Sequence, residues 1–176
     1  WTLPYFCIIP GLVIYYLIKN IKFIKVKIML SILSISIIYF LYNFFLITPY
    51  QYTYLNILNG NVEHRYKKFE NDYWGGSLKE LIKKSTFSKK NTVTFASCGV
   101  NHNVAKYYLK KKGYFNIKFG NPNEAKYIIM TNRVTLNKKD IYKTENLTNC
   151  FDKFEGKNVF EVTRNGLLLS VIRKIN

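Results

Sequence analysis

Three groups of residues carry side chains from which chemistry is usually built. The first is the run FENDYWGGSLKEL, Phe69 to Leu81, where Asp72, Tyr73 and Trp74 stand directly before Gly75-Gly76 and Ser77. An acid beside two aromatics suits a catalytic loop, a membrane-surface anchor, or simply a well-capped helix start. The second is Cys98-Gly99 with His102, which invites a thiolate activated by an imidazole. A single cysteine and histidine near a strand end are commonplace, however, and their spacing fits no metal pattern. His64 is the other of only two histidines, too few for a zinc centre. The third is the pair Cys98 and Cys150. These two either form a bridge, worth about 3–4 kcal/mol in the chain-entropy model, or remain two buried thiols. The chain has no Gly-rich phosphate loop, no G-x-S-x-G and no paired metal-binding carboxylates.

What positions these residues is first a question of charge. The 176 residues carry a net +17, and 17% of them are aromatic. Four of the 27 basic residues, Lys19, Lys22, Lys25 and Lys27, fall before residue 48, and no acid does. The remaining 23 face 10 acids, a net +13. A basic domain of that kind favours anionic partners: lipid headgroups, phosphates or nucleic acid. The heavy use of Ile, Lys, Asn and Tyr matches an AT-rich codon bias, to which part of this charge is owed. The chain opens at Trp1 without an initiator Met, which reads as a fragment or a processed product.

Residues 1–18 are uncharged and mostly apolar, although Pro4 and Pro10-Gly11 interrupt them. Residues 28–48, IMLSILSISIIYFLYNFFLIT, form a longer uncharged run, long enough as a helix to reach across roughly 30 Å of hydrocarbon. No small-residue cleavage site follows, so a signal peptide is not the reading. Two transmembrane helices are expected, at about 1–18 and 28–48, joined by the basic loop 19–27. Positive residues in short loops mark the cytoplasmic side. Residues 49–176 are therefore expected on the external, periplasmic face of an inner (plasma) membrane. Tyr50, Tyr52 and Tyr54 suit the outer interfacial belt, and Cys7 is plain packing within a span.

Beyond the spans the pattern changes. Residues 49–76 read as an interfacial segment and 77–176 as an α/β cap domain. Ser77 and Glu80 have capping-box spacing, predicting a helix over 77–84. NTVTFASC predicts a buried strand ending at Cys98, and NHNVAKYYLKKKG a helix stopped by Gly113. YFNIKF and AKYIIMTN are further strands, and Asn165-Gly166 between apolar runs predicts a terminal hairpin. The fold class is thus a helical membrane region followed by a small external α/β domain with a mixed sheet and a C-terminal hairpin. Lysines 67–68, 89–90 and 110–112 interleave with tyrosines as on a nucleic-acid surface. An external location argues against nucleic acid; a solvated helix face comes first, then anionic lipid. Asn146-Leu147-Thr148 is a formal glycosylation sequon.

The stretch TPYQYTYLNILNGNVEHRYKKFENDYWGGSLKELIKK resembles the segment after the last membrane helix of GT-C-type integral-membrane glycosyltransferases. It resembles in particular the protein O-mannosyltransferase and lipid-A aminoarabinose transferase group. Pro49, Tyr50, Tyr54, Asn56, Gly60, Asp72, Tyr73, Trp74, Gly75 and Ser77 carry the likeness. The SCG strand end, AKYIIMTNR and the closing hairpin resemble that group's small external domain. Asn59-Gly60-Asn61 departs from the usual Gly-Gly. The resemblance implies an enzyme that takes a sugar from a polyprenyl-phosphate donor on the external face. Its catalytic acid lies in a first external loop, upstream of this sequence, so no residue here inherits that role. No cofactor site is expected within these residues. The implied partners are membrane lipid and the polyprenyl-phosphate donor. Arg65, Lys67, Lys68, Asp72, Tyr73 and Trp74 are the candidate substrate- or lipid-contacting residues, with Asp72 holding one of the cations. A docking joint between spans and cap domain is the plainer reading of the same residues. From another class, a membrane-tethered binding or sensor domain without catalysis fits the same layout.

Overall fold

The computed structural model describes residues 3–20, 23–54, 72, 74–135 and 148–175. The chain forms two compact units, residues 1–44 and 45–176. The first holds helix α1, Leu3–Asn20, with Pro10 inside it, and most of helix α2, Phe23–Leu46. Among the described residues, Lys25–Leu46 is the helix long and apolar enough to cross a membrane, with a mean hydropathy of 2.0 and no part of it buried. Polar side chains on α2 turn back on their own backbone. Ser31 Oγ donates to Lys27 O at 3.0 Å, Ser36 Oγ to Ile32 O at 2.9 Å and Asn43 Nδ2 to Tyr39 O at 2.9 Å. That bonding leaves an apolar outer surface with few polar demands. The expected basic loop is shorter than its lysines suggested. Lys19 sits in the last turn of α1, and Lys25 and Lys27 lie within α2. Lysine is a good helix former, and its aliphatic stem lets the helix run on while the amine reaches outward.

The second unit is built on a five-stranded sheet in the order β2-β1-β3-β7-β6. These strands are β1 Val93–Cys98, β2 Ile117–Phe119, β3 Tyr127–Thr131, β6 Lys157–Arg164 and β7 Leu167–Lys174. The pairs β1–β2 and β1–β3 are parallel, and β3–β7 and β6–β7 antiparallel, giving the expected mixed sheet. Asn165 (φ 48°) and Gly166 (φ 75°) make the hairpin turn. Both adopt positive φ, as a tight two-residue hairpin loop requires. Strands β4 Val134–Thr135 and β5 Thr148–Asn149 form a separate antiparallel pair.

Each face of the sheet is covered. Helices α3, Leu78–Lys84, and α4, His102–Lys111, pack on one face. They bury Leu78, Leu81, Ile82, Ala105 and Leu109 against Phe95, Ile129 and Ile172. The short helix α5, Cys150–Lys153, lies on the other face with Ile128, Met130 and Val171. A disulfide joins Cys98 to Cys150 with a Cα–Cα distance of 5.6 Å, tying the end of β1 to α5 across 52 residues. By the chain-entropy argument a closed loop of that length is worth about 4 kcal/mol.

The register of β6 against β7 slips so that Leu169 is an extra residue on β7. Such a bulge reverses the inside–outside alternation. Leu167 and the bulged Leu169, and Ser170 and Ile172 after it, consequently all reach the side covered by α3. A serine is thereby delivered into the core beneath the start of α3.

Candidate functional site

Asp72 has no exposed surface. Its Oδ1 accepts from the Tyr52 hydroxyl and from Gly76 N at 2.8 Å; its Oδ2 accepts from Ser77 N at 3.1 Å and from Ser77 Oγ. Ser77 Oγ also lies 2.6 Å from Ser170 Oγ. A carboxylate can only accept, so Ser77 donates to Asp72 and Ser170 donates to Ser77. The chain of bonds thus runs from the segment leaving α2, through the start of α3, to the bulge of β7. Backbone geometry sets it up: Gly75 takes φ +64° and its N–H bonds Asp72 O at 3.0 Å, turning the chain into the helix. Gly76 must be small, since a Cβ there would fall 2.6 Å from the Tyr52 hydroxyl oxygen.

This corrects the capping-box expectation. Ser77 makes no side-chain cap bond to the helix backbone. Asp72, five residues upstream of Ser77, instead accepts from Gly76 N and Ser77 N just ahead of the helix, where a negative charge complements the macrodipole. Glu80 is engaged elsewhere. It accepts from Tyr50 Oη at 2.7 Å, Arg164 Nη2 at 2.5 Å and Lys84 Nζ at 2.7 Å. Arg164 also donates to Thr48 O at 3.2 Å and lies over the Tyr50 ring, 5.3 Å from its centroid. Two tyrosines of the exit segment are therefore each held by an acid: Tyr50 by Glu80 and Tyr52 by Asp72. Tyr50 is 6% exposed, so it serves the domain core rather than an interfacial belt.

Burial, together with the bond to Glu80, pushes the Tyr50 hydroxyl well above the usual tyrosine range. Tyr52 shifts the same way, from burial of its hydroxyl and the bond to Asp72. Its ring is half-exposed, but the hydroxyl end points at a carboxylate without solvent contact. Both phenols stay protonated near neutrality and act as donors. For Glu80, burial raises the carboxyl, and hydrogen bonds from Lys84, Arg164 and Tyr50 outweigh it, holding the group at about 2.

Beside this knot lies an open cleft of about 270 Å³, with Trp74, Gly99, Asn101 and Arg133 among its lining residues. The Trp74 side chain is 82% exposed. Gly99 follows β1, and Arg133 lies just beyond β3. These two strands are parallel neighbours, and the chain leaves β1 for β2 on one side and later returns to β3 on the other. Open α/β sheets bind ligands at the carboxyl ends of strands where the winding reverses in this way. Gly99 takes φ +74°, and a Cβ there would sit 2.8 Å from Thr131 Oγ1 and 2.8 Å from Arg133 Cβ. Asn101 caps α4 by accepting from Asn103 N at 2.9 Å.

No family model, no characterised protein and no solved structure matches this chain. A functional reading therefore stands on the geometry and on the resemblance drawn from the sequence.

Of the residues singled out from sequence, Asp72 and Trp74 lie within one turn of chain but face different surroundings, one the core and the other solvent. Arg65, Lys67, Lys68 and Tyr73 lie outside the described residues, as do His64 and Asn146. Cys98 is spent in the disulfide and His102 is exposed at the start of α4, so they form no nucleophile pair. Among the described residues, no group of three or more His, Cys, Asp or Glu side chains gathers as a metal site. The sequence reading missed Ser170, Arg133 and Arg164, and it gave Tyr52 to an interfacial belt, where the structure bonds its hydroxyl to Asp72. Gly99 and Arg133 each follow a predicted strand, a usable signal, but which strands are neighbours is set by long-range pairing.

Proposed function

We propose that this chain is the C-terminal region of an integral-membrane glycosyltransferase of the GT-C type. It transfers a sugar from a polyprenyl-phosphate donor on the external face, with its catalytic residues upstream. Residues 45–176 form the external cap domain and α2 is the last membrane span, with α1 the span before it. The observation that carries this reading is how the exit from α2 is held. Within six residues of Leu46 the chain commits two tyrosines to acids, Tyr50 to the part-buried Glu80 and Tyr52 to the buried Asp72. An apolar helix followed within a few residues by a hydrogen-bonded exit segment suits the end of a polytopic membrane enzyme better than a long linker to a free domain. The Cys98–Cys150 disulfide supports an oxidising, external location.

Asp72 acts in this reading as the joint and not as a reacting group, because its bonds to the described residues all go to structural donors. Trp74 and Arg133 are the residues of the cap placed to meet a substrate. A planar indole offers an apolar face to a sugar ring, and a guanidinium pairs with phosphate. The test is turnover by membranes carrying the full-length gene product with a radiolabelled sugar on polyprenyl phosphate. Transfer of label to an acceptor, absent from control membranes, is the expected result. A donor left intact by well-expressed, folded protein overturns the assignment.

The Trp74 cleft favours a second reading, a membrane-tethered binding domain without catalysis. It predicts ligand-dependent quenching of Trp74 fluorescence in a protein that turns over no lipid-linked sugar.

A further inference from the structure

The outer side of α3 carries a second feature, unrelated to Asp72. Lys79 and Lys83 are exposed and one helical turn apart, a like-charged pair that weakens an isolated helix. They rim an apolar cleft of about 190 Å³ floored by Ile82 and Tyr108, with Lys111 on the α4 side. The described residues lining it include no acid. Lys112, on the same rim, is already used: its Nζ donates to the carbonyls of Ile82, Lys83 and Ser85 and closes the C-terminal end of α3. Lys79 and Lys83 also border a second, larger cleft of about 650 Å³ that reaches Pro49 and Tyr50. The acid there, Glu80, is committed to Tyr50, Lys84 and Arg164.

Covalent connection fixes where this surface can be. Helix α2 ends at Leu46. Pro49 is three residues later, no more than about 10 Å along the chain. If α2 crosses a bilayer, the wall of the larger cleft lies at headgroup depth. Cations at that depth meet phosphate, and an apolar floor beside them meets the glycerol and upper acyl region.

We propose that the Lys79–Lys83 face of α3 is a docking surface for anionic phospholipid of the surrounding membrane. A headgroup phosphate sits between the two ammonium groups, and the lipid's apolar part lies along the cleft toward Pro49. This rests on α2 spanning the membrane but not on any sugar-transfer activity.

The test is hydrogen exchange on the whole chain in lipid discs. Discs of phosphatidylcholine alone are compared with discs that also contain phosphatidylglycerol, for the native chain and for Lys79→Glu/Lys83→Glu. Native α3 amides should exchange several-fold more slowly when phosphatidylglycerol is present. High salt should erase the difference, and the double variant should lack it. Unchanged protection of β3 and β7 shows that the variant is folded; should it unfold, Lys79→Gln/Lys83→Gln replaces it and must show a reduced difference. Three results overturn the proposal. In the first, α2 is protected in both discs but α3 is indifferent to phosphatidylglycerol, which leaves the membrane span standing. In the second, α3 responds to polyprenyl phosphate in phosphatidylcholine discs and not to phosphatidylglycerol. In the third, α2 amides exchange freely in every disc, which removes the span as well.

Discussion

At the start of α3 an acid without solvent contact meets four hydrogen-bond donors, while along the outer side of the same helix two lysines stand a turn apart in the open. The first neighbourhood is complete within the chain: every described bond of Asp72 goes to a group the fold itself delivers. The second has charge of one sign around an apolar floor. A folded chain tolerates an exposed like-charged pair at a cost of a few tenths of a kcal/mol, whereas a buried unpaired acid costs several. Burial therefore separates structure from recognition along a helix only seven residues long. The buried side joins the segment leaving α2 to the sheet, and the open side faces outward.

Removing the acid should produce the largest effect. Asp72→Ala leaves Ser77 N, Gly76 N and two hydroxyls without their acceptor, a loss of about 3 kcal/mol or more. Denaturant melts of the chain in detergent would show it as a lower midpoint at unchanged slope. Stability within 0.5 kcal/mol of native, a threshold of about the surface-substitution scale, would break the distinction drawn above.

Acid pH addresses the neighbouring Glu80. Its folded-state carboxyl is held at about 2, below the ordinary value of 4.5. A depressed carboxylate contributes stability that is complete above pH 4.5 and disappears as pH falls toward 2. With solvent screening of a part-exposed ion pair taken off, melts across that window should lose on the order of 1–2 kcal/mol that Glu80→Gln never had. Parallel pH curves for the two proteins would contradict the Tyr50–Glu80–Arg164 cluster.

Gly76→Ala is a finer probe. The new methyl group must displace the Tyr52 hydroxyl from Asp72, at a cost of roughly 1–2 kcal/mol. Combining it with Tyr52→Phe should add much less than the sum of the two, since both remove one bond. The smallest change belongs to the open side. Lys79→Gln/Lys83→Gln should shift stability in detergent by no more than about 0.5 kcal/mol, in either direction.

What could be read from the sequence was what neighbouring residues decide. Asn165-Gly166 specifies its hairpin because both residues accept positive φ. The helix read in NHNVAKYYLKKKG forms as α4, with Gly113 just past its end at φ +90°. The apolar runs NTVTFASC and AKYIIMTN placed two strands that the structure makes parallel partners. The capping box at Ser77 failed for the opposite reason. Glu80 is claimed by Arg164, 84 residues away, and Ser77 by a carboxylate and by a serine 93 residues on. Ser170 reaches that place only because a bulge at Leu169 reverses the pleat. No local pattern announces such a slip. The cleft was half legible: Trp74 stood out, but the meeting of Gly99 with Arg133 depends on β1 and β3 being neighbours.

The account turns on α2 crossing a bilayer with residues 45–176 beyond it. Fusing paired reporters after Asn176 tests this most directly, one an enzyme active only outside the cell membrane, the other a protein fluorescent only inside. The external enzyme should be active and the internal fluorophore dark. A bright fluorophore with an inactive enzyme would place the cap domain in the cytoplasm and contradict both the sugar-transfer reading and the external setting.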